Sequence, residues 1–404
     1  YLSGVPVVKS LKKQLYGIRN HNIIRKCLVG VQFVTAAFVM IGSFIITKKV
    51  DFFFSKQLGF NKEYVLTVQS PRNWTPEGVR QSLDARNTLR QLPFILNASL
   101  SYDLPSKSPG ASVTVFKPGT DSSRTSPSQL IMCDNLFAHT YGIELLAGTF
   151  FSEREDLQTP DKIVINEAHV SMQGWASNSD AIGKQMRIAG FSDPFTISGV
   201  VKNFHLGSMQ EAIKPQTFLP VLYTNTYRYF SLKLKPGNAS NHIVALEEAW
   251  KTKFPCVPFE FQFLDDSLKN LYQAELQLKK ASITALLLSS ILVMLGIIGL
   301  VSISLQKRTR EIGIRRVLGA NVFSLIRLFV KEFLSIAIIG SLIAIPISWL
   351  VLRKWLNEYA YRIELNLYPF LLCIFLLVFC TSLLISWLTY RFSQINPSRN
   401  INSD

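Results

Sequence analysis

Residues 282–305 read SITALLLSSILVMLGIIGLVSISL, and this stretch contains no charged side chain. An α-helix of about 20 apolar residues is long enough to cross the hydrocarbon core of a bilayer. A helix of this length inside a soluble protein would normally carry a polar face. The stretch therefore predicts a transmembrane helix, and this decides the class of fold.

Three further stretches without a charged residue lie at 27–47, 333–352 and 368–390. Each has lysine or arginine on at least one side. Charged residues make up 17% of the chain, against roughly 25% in a typical soluble protein. We therefore predict an integral membrane α-helical protein with four spans.

Basic residues cluster just before the first predicted span and just after the second. Short loops rich in lysine and arginine face the cytoplasm. Both clusters and both termini are therefore predicted inside, and the long segment between the first two spans outside. Arg353 and Lys354 lie on the outer side, against this rule. The clusters are Lys9, Lys12, Lys13, Arg19, Arg25 and Lys26, then Lys307, Arg308, Arg310, Arg315, Arg316 and Arg327.

The net charge of +16 suggests a nucleic-acid partner, but the basic residues flank the predicted spans, so none is predicted. The lipid bilayer is the expected environment instead. The predicted organisation is a cytoplasmic segment at 1–26, a span at 27–47, an extracytoplasmic domain at 48–264, a stalk and span at 265–305, a cytoplasmic segment at 306–332, a span at 333–352, a short outer loop at 353–367, a span at 368–390 and a cytoplasmic tail at 391–404.

Strand and helix patterns both occur in the outer segment, which predicts a large extracytoplasmic α+β domain. A division into two lobes is compatible with the pattern. Residues 105–127 are rich in Ser, Pro and Gly, and a loop is expected there. The predicted strands are 64–68, 162–165, 195–197, 232–234 and 259–263, and the predicted helices are 77–92 and 242–253.

Residues 265–281 have apolar side chains at helical spacing, and neither Pro nor Gly separates them from the second span. One continuous helix is therefore expected from the outer domain through the membrane. Asp265 and Asp266 are expected to cap its start, because acidic side chains favour a helix N-terminus.

The sequence contains no pattern that predicts catalysis or metal binding. The five histidines lack metal-ligand spacing, and neither a G-x-S-x-G nor an H-E-x-x-H motif occurs. Gly183-Lys184 lacks the remaining residues of a nucleotide-binding loop. We therefore predict no catalytic residue, no metal and no cofactor, and any ATP is expected to bind another chain. His205 is expected to pack in a turn. A disulfide between Cys133 and Cys256 stays open, since an oxidising compartment would permit it.

The strongest local signal follows the second span, where residues 306–320 read QKRTREIGIRRVLGA. Thr309 is expected to cap a short helix that Gly319 ends. One interpretation is an interfacial amphipathic helix that holds anionic lipid. The other is a docking helix for a cytoplasmic partner. The candidate coupling residues are Arg310, Glu311, Ile312, Gly313, Ile314, Arg315, Arg316, Val317, Leu318, Gly319 and Ala320.

This segment resembles the coupling segment of MacB/FtsX-type ABC transporter permeases. Residues 163–168 (IVINEA), 182–184 (IGK) and 199–205 (GVVKNFH) resemble the extracytoplasmic domain of that family. Residues 344–347 (AIPI) and 355–363 (WLNEYAYRI) resemble its last two spans and their connection. The resemblance covers essentially the whole chain, in order.

The resemblance implies a permease in the bacterial inner membrane whose ATPase is a separate cytoplasmic chain. ATP-driven movement would enter at residues 311–320, pass along 265–305 and reach the outer domain, a mode called mechanotransmission. The implied cargo is a peptide, drug or lipoprotein for efflux or export, with a periplasmic adaptor or outer-membrane factor as a further partner. A non-transporting membrane sensor or scaffold that regulates a cell-wall enzyme is the alternative.

The two ends of the chain resemble each other, since residues 3–11 and 393–401 each place a base shortly after a proline and an aliphatic residue shortly after the base. The resemblance points to the eight-span form common in Bacteroidetes, in which two similar units are fused. The chain is then expected to be the second half, and a second permease unit, fused or separate, is an expected partner.

Overall fold

The computed structural model describes residues 16–55, 58–105, 111–118, 126–152, 161–309 and 321–393. The chain divides into two compact units. We call Tyr1–Phe54, Glu275–Glu358 and Arg362–Asp404 the membrane unit, and Ser55–Ala274 with Tyr359–Tyr361 the outer unit.

The elements, numbered along the chain, are α1 (Tyr16–Ser55), β1 (Val65–Gln69), α2 (Pro76–Arg90), β2 (Ile95–Ser101), β3 (Ala111–Phe116), β4 (Ser126–Cys133), α3 (Phe137–Tyr141), β5 (Leu145–Gly148), β6 (Lys162–Asn166), α4 (Glu167–Met172), α5 (Asn178–Ala181), β7 (Gln185–Ile188), β8 (Phe195–Val201), β9 (Gln216–Pro220), α6 (Val221–Thr224), β10 (Tyr229–Leu234), α7 (Ala239–Lys253), β11 (Phe261–Phe263), α8 (Leu264–Leu271), α9 (Gln273–Lys307), α10 (Val322–Leu356) and α11 (Leu367–Ser393).

The helices α1, α9, α10 and α11 of the membrane unit are each long and apolar enough to cross a membrane. With 40 residues, α1 is about 60 Å long at 1.5 Å per residue, twice the thickness of the hydrocarbon core. Small residues allow close packing, since a Cβ on Gly340 of α10 would lie 2.9 Å from the Phe33 Cβ of α1. The predicted fold class, four spans with a large α+β outer domain, is confirmed.

Six strands of the outer unit close into a ring, in the order β3-β4-β9-β6-β8-β7 and back to β3. The β4–β9 and β6–β8 pairs are parallel, and the other four pairs are antiparallel. Inward side chains such as Ile165, Ile188 and Ile197 are buried in the main apolar cluster of this unit. Closure removes free strand edges within the ring.

A second, antiparallel sheet has the order β11-β1-β10-β2. It meets the ring through the single ladder pair Ser101 of β2 and Cys133 of β4. Helix α2 begins with Thr75 as N-cap, whose hydroxyl accepts the N–H of Gly78 at 3.0 Å. Trp250 of α7 is fully buried, with its ring 5.3 Å from that of Phe230 on β10.

The structure corrects two of the sequence predictions and answers one question that the sequence left open. The predicted loop at 105–127 contains β3, where alternating Val113 and Val115 pair with β4, so β-propensity outweighs the flanking Ser, Pro and Gly. The predicted continuous helix from the stalk is two helices, because Tyr272 leaves the helical conformation between α8 and α9. Cys133 and Cys256 are free, one buried and one exposed.

The first turn of α8 contains Asp265 and Asp266, as expected from the dipole argument. Neither residue is the cap, however, since Phe263 occupies the N-cap position and has no side-chain cap bond. Both carboxylates therefore act on the helix through their charge, and Asp266 also accepts from Lys269 Nζ of α8 at 2.9 Å.

Candidate coupling site

The predicted coupling residues Arg310 to Ala320 lie outside the described residues. The structure describes both flanks of this segment. Helix α9 ends at Lys307 and is followed by Arg308 and Thr309, and the chain is described again from Asn321. The geometry of these flanks is therefore what bears on the site.

Thr309 closes the helix before the segment. Its hydroxyl donates back to the carbonyl oxygens of Leu305 at 3.1 Å and Gln306 at 2.8 Å. The N–H groups that Thr309 would accept as the cap of a following helix belong to residues outside the described ones, so that expectation stays a prediction. The expected end at Gly319 lies outside the described residues.

Asn321 begins the helix after the segment. Its side-chain oxygen accepts the N–H of Phe323 at 3.3 Å, as an N-cap residue does. The hydroxyl of Ser324 donates to the Asn321 carbonyl at 2.6 Å. Helix α10 therefore starts at Val322, well before the span predicted from Phe333.

Three charged side chains meet beside these flanks. Glu332 of α10 accepts from the Lys26 ammonium of α1 at 2.7 Å, and its other oxygen lies 3.3 Å from Arg308 Nη2. The side chains of Glu332, Arg308 and Lys26 are 25%, 38% and 47% exposed. We call these three residues the Glu332 cluster. Each carboxylate oxygen faces one cation, so a single acid offsets the repulsion between two bases.

The Arg308 guanidinium also lies 5.7 Å from the ring centre of the buried Phe329 on α10. A cation over an aromatic face is attracted by the ring quadrupole. Arg308 leaves α9 immediately before the coupling segment, and Phe329 and Glu332 lie in the first turns of α10 after it. The two ends of the segment are therefore held together, and Lys26 joins both to α1.

In the sequence, Lys26 and Arg308 are only signals of topology, and Glu332 has no predicted role. One signal was available: Glu332 is an acid among the basic residues of its flank, beside the apolar stretch from 333. Its partners could not be read from the sequence, because Lys26 lies 306 positions away.

In the outer unit, two of the stretches that carry the resemblance lie side by side. The Asn203 backbone N–H donates to the Glu167 carboxylate at 3.0 Å, and the Asn203 side-chain oxygen accepts the Ala168 N–H at 2.9 Å. Asn166 accepts the backbone N–H groups of His169 at 3.0 Å and Gln216 at 2.9 Å. These motif residues therefore fasten α4 to the ring.

The histidines next to these motifs are packed inside the outer unit. His169 is fully buried, and burial lowers its pKa to about 4. His205 is buried with its ring edge-on to Tyr361 at 4.7 Å, as expected for a histidine that packs in a turn. Within the ranges that the structure describes, no three His, Cys, Asp or Glu side chains group as metal ligands would.

Comparison with known protein families agrees with this arrangement. The MacB-like periplasmic core domain matches residues 28–249, more than half of the chain, and the FtsX-like permease C-terminal region matches residues 283–397. The chain belongs to the family of FtsX-like permeases with a MacB-like periplasmic core domain. With four candidate spans, this permease is a multi-pass protein of the bacterial inner membrane.

Relatives of this FtsX-like permease include the macrolide export ATP-binding/permease protein MacB of Neisseria gonorrhoeae, 27% identical over 51% of this chain and 33% of that protein. The protein of the same name from Hahella chejuensis is 26% identical over 48% of this chain and 31% of that one. The chain thus spans about a third of the length of these relatives. The solved periplasmic region of MacB from Actinobacillus actinomycetemcomitans is 17% identical, covers 52% of this chain and 94% of that one, and gives a TM-score of 0.37, too low to support a conclusion.

Proposed function

We propose that this chain is the permease subunit of an ABC transporter and that a cytoplasmic ATPase on a separate chain docks on residues Arg310 to Ala320. Movement driven by ATP enters at this segment, passes through the spans and reaches the outer unit. The cycle exports cargo by mechanotransmission.

The Glu332 cluster is the observation that favours this proposal. A segment pushed by a partner transmits force only if its two ends are held by the body that must move. The contact between Arg308 and Glu332 holds the ends of the segment together, and the contact of Lys26 with Glu332 joins them to α1. A push on the segment therefore acts on α1, α9 and α10 at once. A segment that merely lies in the lipid interface does not need its two ends to be joined in this way.

The proposal assigns the ATPase to another chain, and the lack of a nucleotide-binding loop within these 404 residues supports that assignment. The names of the relatives above include both ATP-binding and permease, and this chain spans about a third of the length of each. Their names also state macrolide export, which supports a drug as cargo here. A peptide or a lipoprotein remains within the proposed class of cargo.

Two variants separate ATPase docking from lipid binding. Gly313→Trp places a large ring where a partner must approach closely, since glycine has no side chain. Arg315→Gln with Arg316→Gln removes the charge that anionic lipid would need. Each variant would be expressed together with the ATPase and with any further permease unit that the transporter requires. A pull-down would then measure how much ATPase the variant retains.

Docking predicts that Gly313→Trp loses the ATPase while the chain still inserts into the membrane. Charges around a docking groove set orientation more than affinity, so the double arginine variant should retain more ATPase than Gly313→Trp does. Normal retention by Gly313→Trp, with loss in the double arginine variant, would refute docking and favour the lipid interpretation.

A further inference from the structure

The chain passes from one unit to the other at four points, namely 54/55, 274/275, 358/359 and 361/362. The outer unit therefore has three connecting stretches: the residues after α1, the residues before α9, and Tyr359–Tyr361 between α10 and α11. Each stretch contributes residues to the outer unit, and their contacts inside that unit can be compared.

All three stretches contact one loop, Asn203–Gln210, which follows β8. We call it the receiver loop. Its start is fastened to the ring, because Asn203 exchanges hydrogen bonds with Glu167 and Ala168 of α4. Phe204, Leu206 and Met209 of this loop are buried, so it is packed along its length.

The first contact comes from the stretch after α1. The His205 N–H donates to the Leu58 carbonyl at 2.9 Å. Gly59 has a φ of +83°, and a Cβ at this position would lie 2.7 Å from the Asn203 oxygen and the Phe204 Cα. Only glycine permits this approach of one backbone to the other.

The second contact comes from Tyr272, the residue that separates α8 from α9. Its side chain is buried, and its hydroxyl accepts the Met209 N–H at 3.0 Å. The residue at which the predicted helix is interrupted is therefore the tyrosine that contacts the receiver loop.

The third contact comes from Tyr359–Tyr361. The Ala360 N–H donates to the Gln210 carbonyl at 2.9 Å, and the Tyr361 ring lies edge-on to His205. This edge-to-face arrangement is a favourable aromatic geometry.

We propose that the receiver loop is the element through which movement of the spans reaches the outer domain. Tyr272 and Tyr361 are positioning residues in this relay. A closely packed protein interior transmits displacement instead of absorbing it. The loop is fixed to the ring at one end and touched by every connection to the spans, so displacement of any connection displaces the ring through it. This inference rests on the proposed function, because it needs an ATP-driven movement to relay.

The test uses the complete transporter with its ATPase in lipid nanodiscs, and hydrogen–deuterium exchange with and without ATP and vanadate. The variant is Tyr272→Phe with Tyr361→Ala, which removes a buried hydroxyl and a half-buried ring from the loop contacts. Tyr141→Phe is the matched control, since its buried hydroxyl bonds to Ser231 at 2.7 Å elsewhere in the outer unit. Tyr361→Ala alone is measured if the double variant loses protection in β6 and β8 without nucleotide.

In the unmodified chain, nucleotide should change exchange at two places, the start of α10 and the outer unit. The variant should keep the change at the start of α10. Its nucleotide-dependent change in the outer unit should be about 2-fold to 30-fold smaller, as expected when coupling residues are altered. The control should keep both. If the variant showed an undiminished change of exchange in the outer unit, the proposed role of the receiver loop would be wrong. The role would also be wrong if nucleotide changed exchange at the start of α10 of the unmodified chain but not in its outer unit. No nucleotide effect at α10 in the unmodified chain would overturn the proposed function itself.

Discussion

Replacing Asp134 with asparagine should loosen the junction between the ring and the antiparallel sheet of the outer unit. Asp134 directly follows β4, and its carboxylate joins residues from both parts. One oxygen accepts from Arg86 Nη1 of α2 at 2.6 Å and from the Leu100 N–H of β2 at 2.7 Å. The other accepts from the Ser99 hydroxyl at 2.8 Å and the Leu136 N–H at 3.1 Å.

The expected magnitude follows from burial and from the number of donors. The side chains of Arg86 and Asp134 are 3% and 2% exposed. Burial raises the pKa of Asp134, and the Arg86 guanidinium opposes that rise because it favours the ionised carboxylate. In Asp134→Asn, an NH₂ group must face either pair of donors, and Arg86 loses its counter-charge. Breaking a buried pair in this way costs about 3–5 kcal/mol of unfolding free energy.

The measurement is urea-dependent pulse proteolysis of the detergent-solubilised chain, followed through fragments of the outer unit. Asp84→Asn is the matched control, because Asp84 pairs with Lys253 at 2.9 Å but is 73% exposed. An exposed pair of this kind contributes about 0–1 kcal/mol. If the two variants lowered the unfolding free energy equally, the buried pair would not be what holds the two sheets together.

Three further outcomes are expected. In spheroplasts, a membrane-impermeant maleimide should label the exposed Cys256 of the outer unit and give less signal in Cys256→Ser, whereas labelling of Cys256 only after lysis would contradict the predicted topology. The pKa of His169 falls from 6.5 in the unfolded chain to about 4 in the folded chain, so the unfolded chain binds the proton first as the pH falls. The contribution of His169 to the unfolding free energy of the outer unit should therefore be complete above pH 6.5, and up to about 3 kcal/mol should be lost towards pH 4. Pulse proteolysis should find this loss absent in His169→Gln. Glu332→Gln should weaken ATPase retention about fivefold, equivalent to about 1 kcal/mol. The control is Glu144→Gln, which removes the exposed partner of Lys202. If Glu332→Gln retained as much ATPase as this control, the proposed role of the Glu332 cluster would be wrong.

The four spans could be predicted from the sequence because the lipid environment imposes a signal that is local. A run of apolar residues without charge needs no partner to be recognised. The strands at β1, β6, β8, β10 and β11 carried a local signal as well. Their closure into a ring did not, since the β4–β9 pairing joins Gln129 to Gln216 across much of the domain. Pairing of distant strands depends on packing that a single sequence does not display.

The interruption at Tyr272 shows how packing overrides local propensity. Neither Pro nor Gly occurs near it, so the residues themselves favour one helix. Its buried hydroxyl bonds to Met209, and Leu264 and Leu268 of α8 are buried as well. These contacts belong to the outer unit, whereas α9 continues as a span. The strand β3 was missed for a related reason, because pairing on both sides outweighs its Ser-rich and Pro-rich flanks.

The candidate site divides in the same way. Residues 310–320 could be proposed as a coupling segment because a docking surface for a partner can be one contiguous run of chain. The residues that hold this segment cannot be contiguous, since their task is to join helices that lie far apart in sequence. Lys26 lies in α1, Arg308 directly follows α9 and Glu332 lies in α10, so the three residues form one cluster only after these helices pack. The same reasoning applies to Gly59, Tyr272 and Tyr361 at the receiver loop. Under the proposed function, the place where the partner docks can therefore be predicted from the sequence, while the path of transmission can be proposed only from the fold.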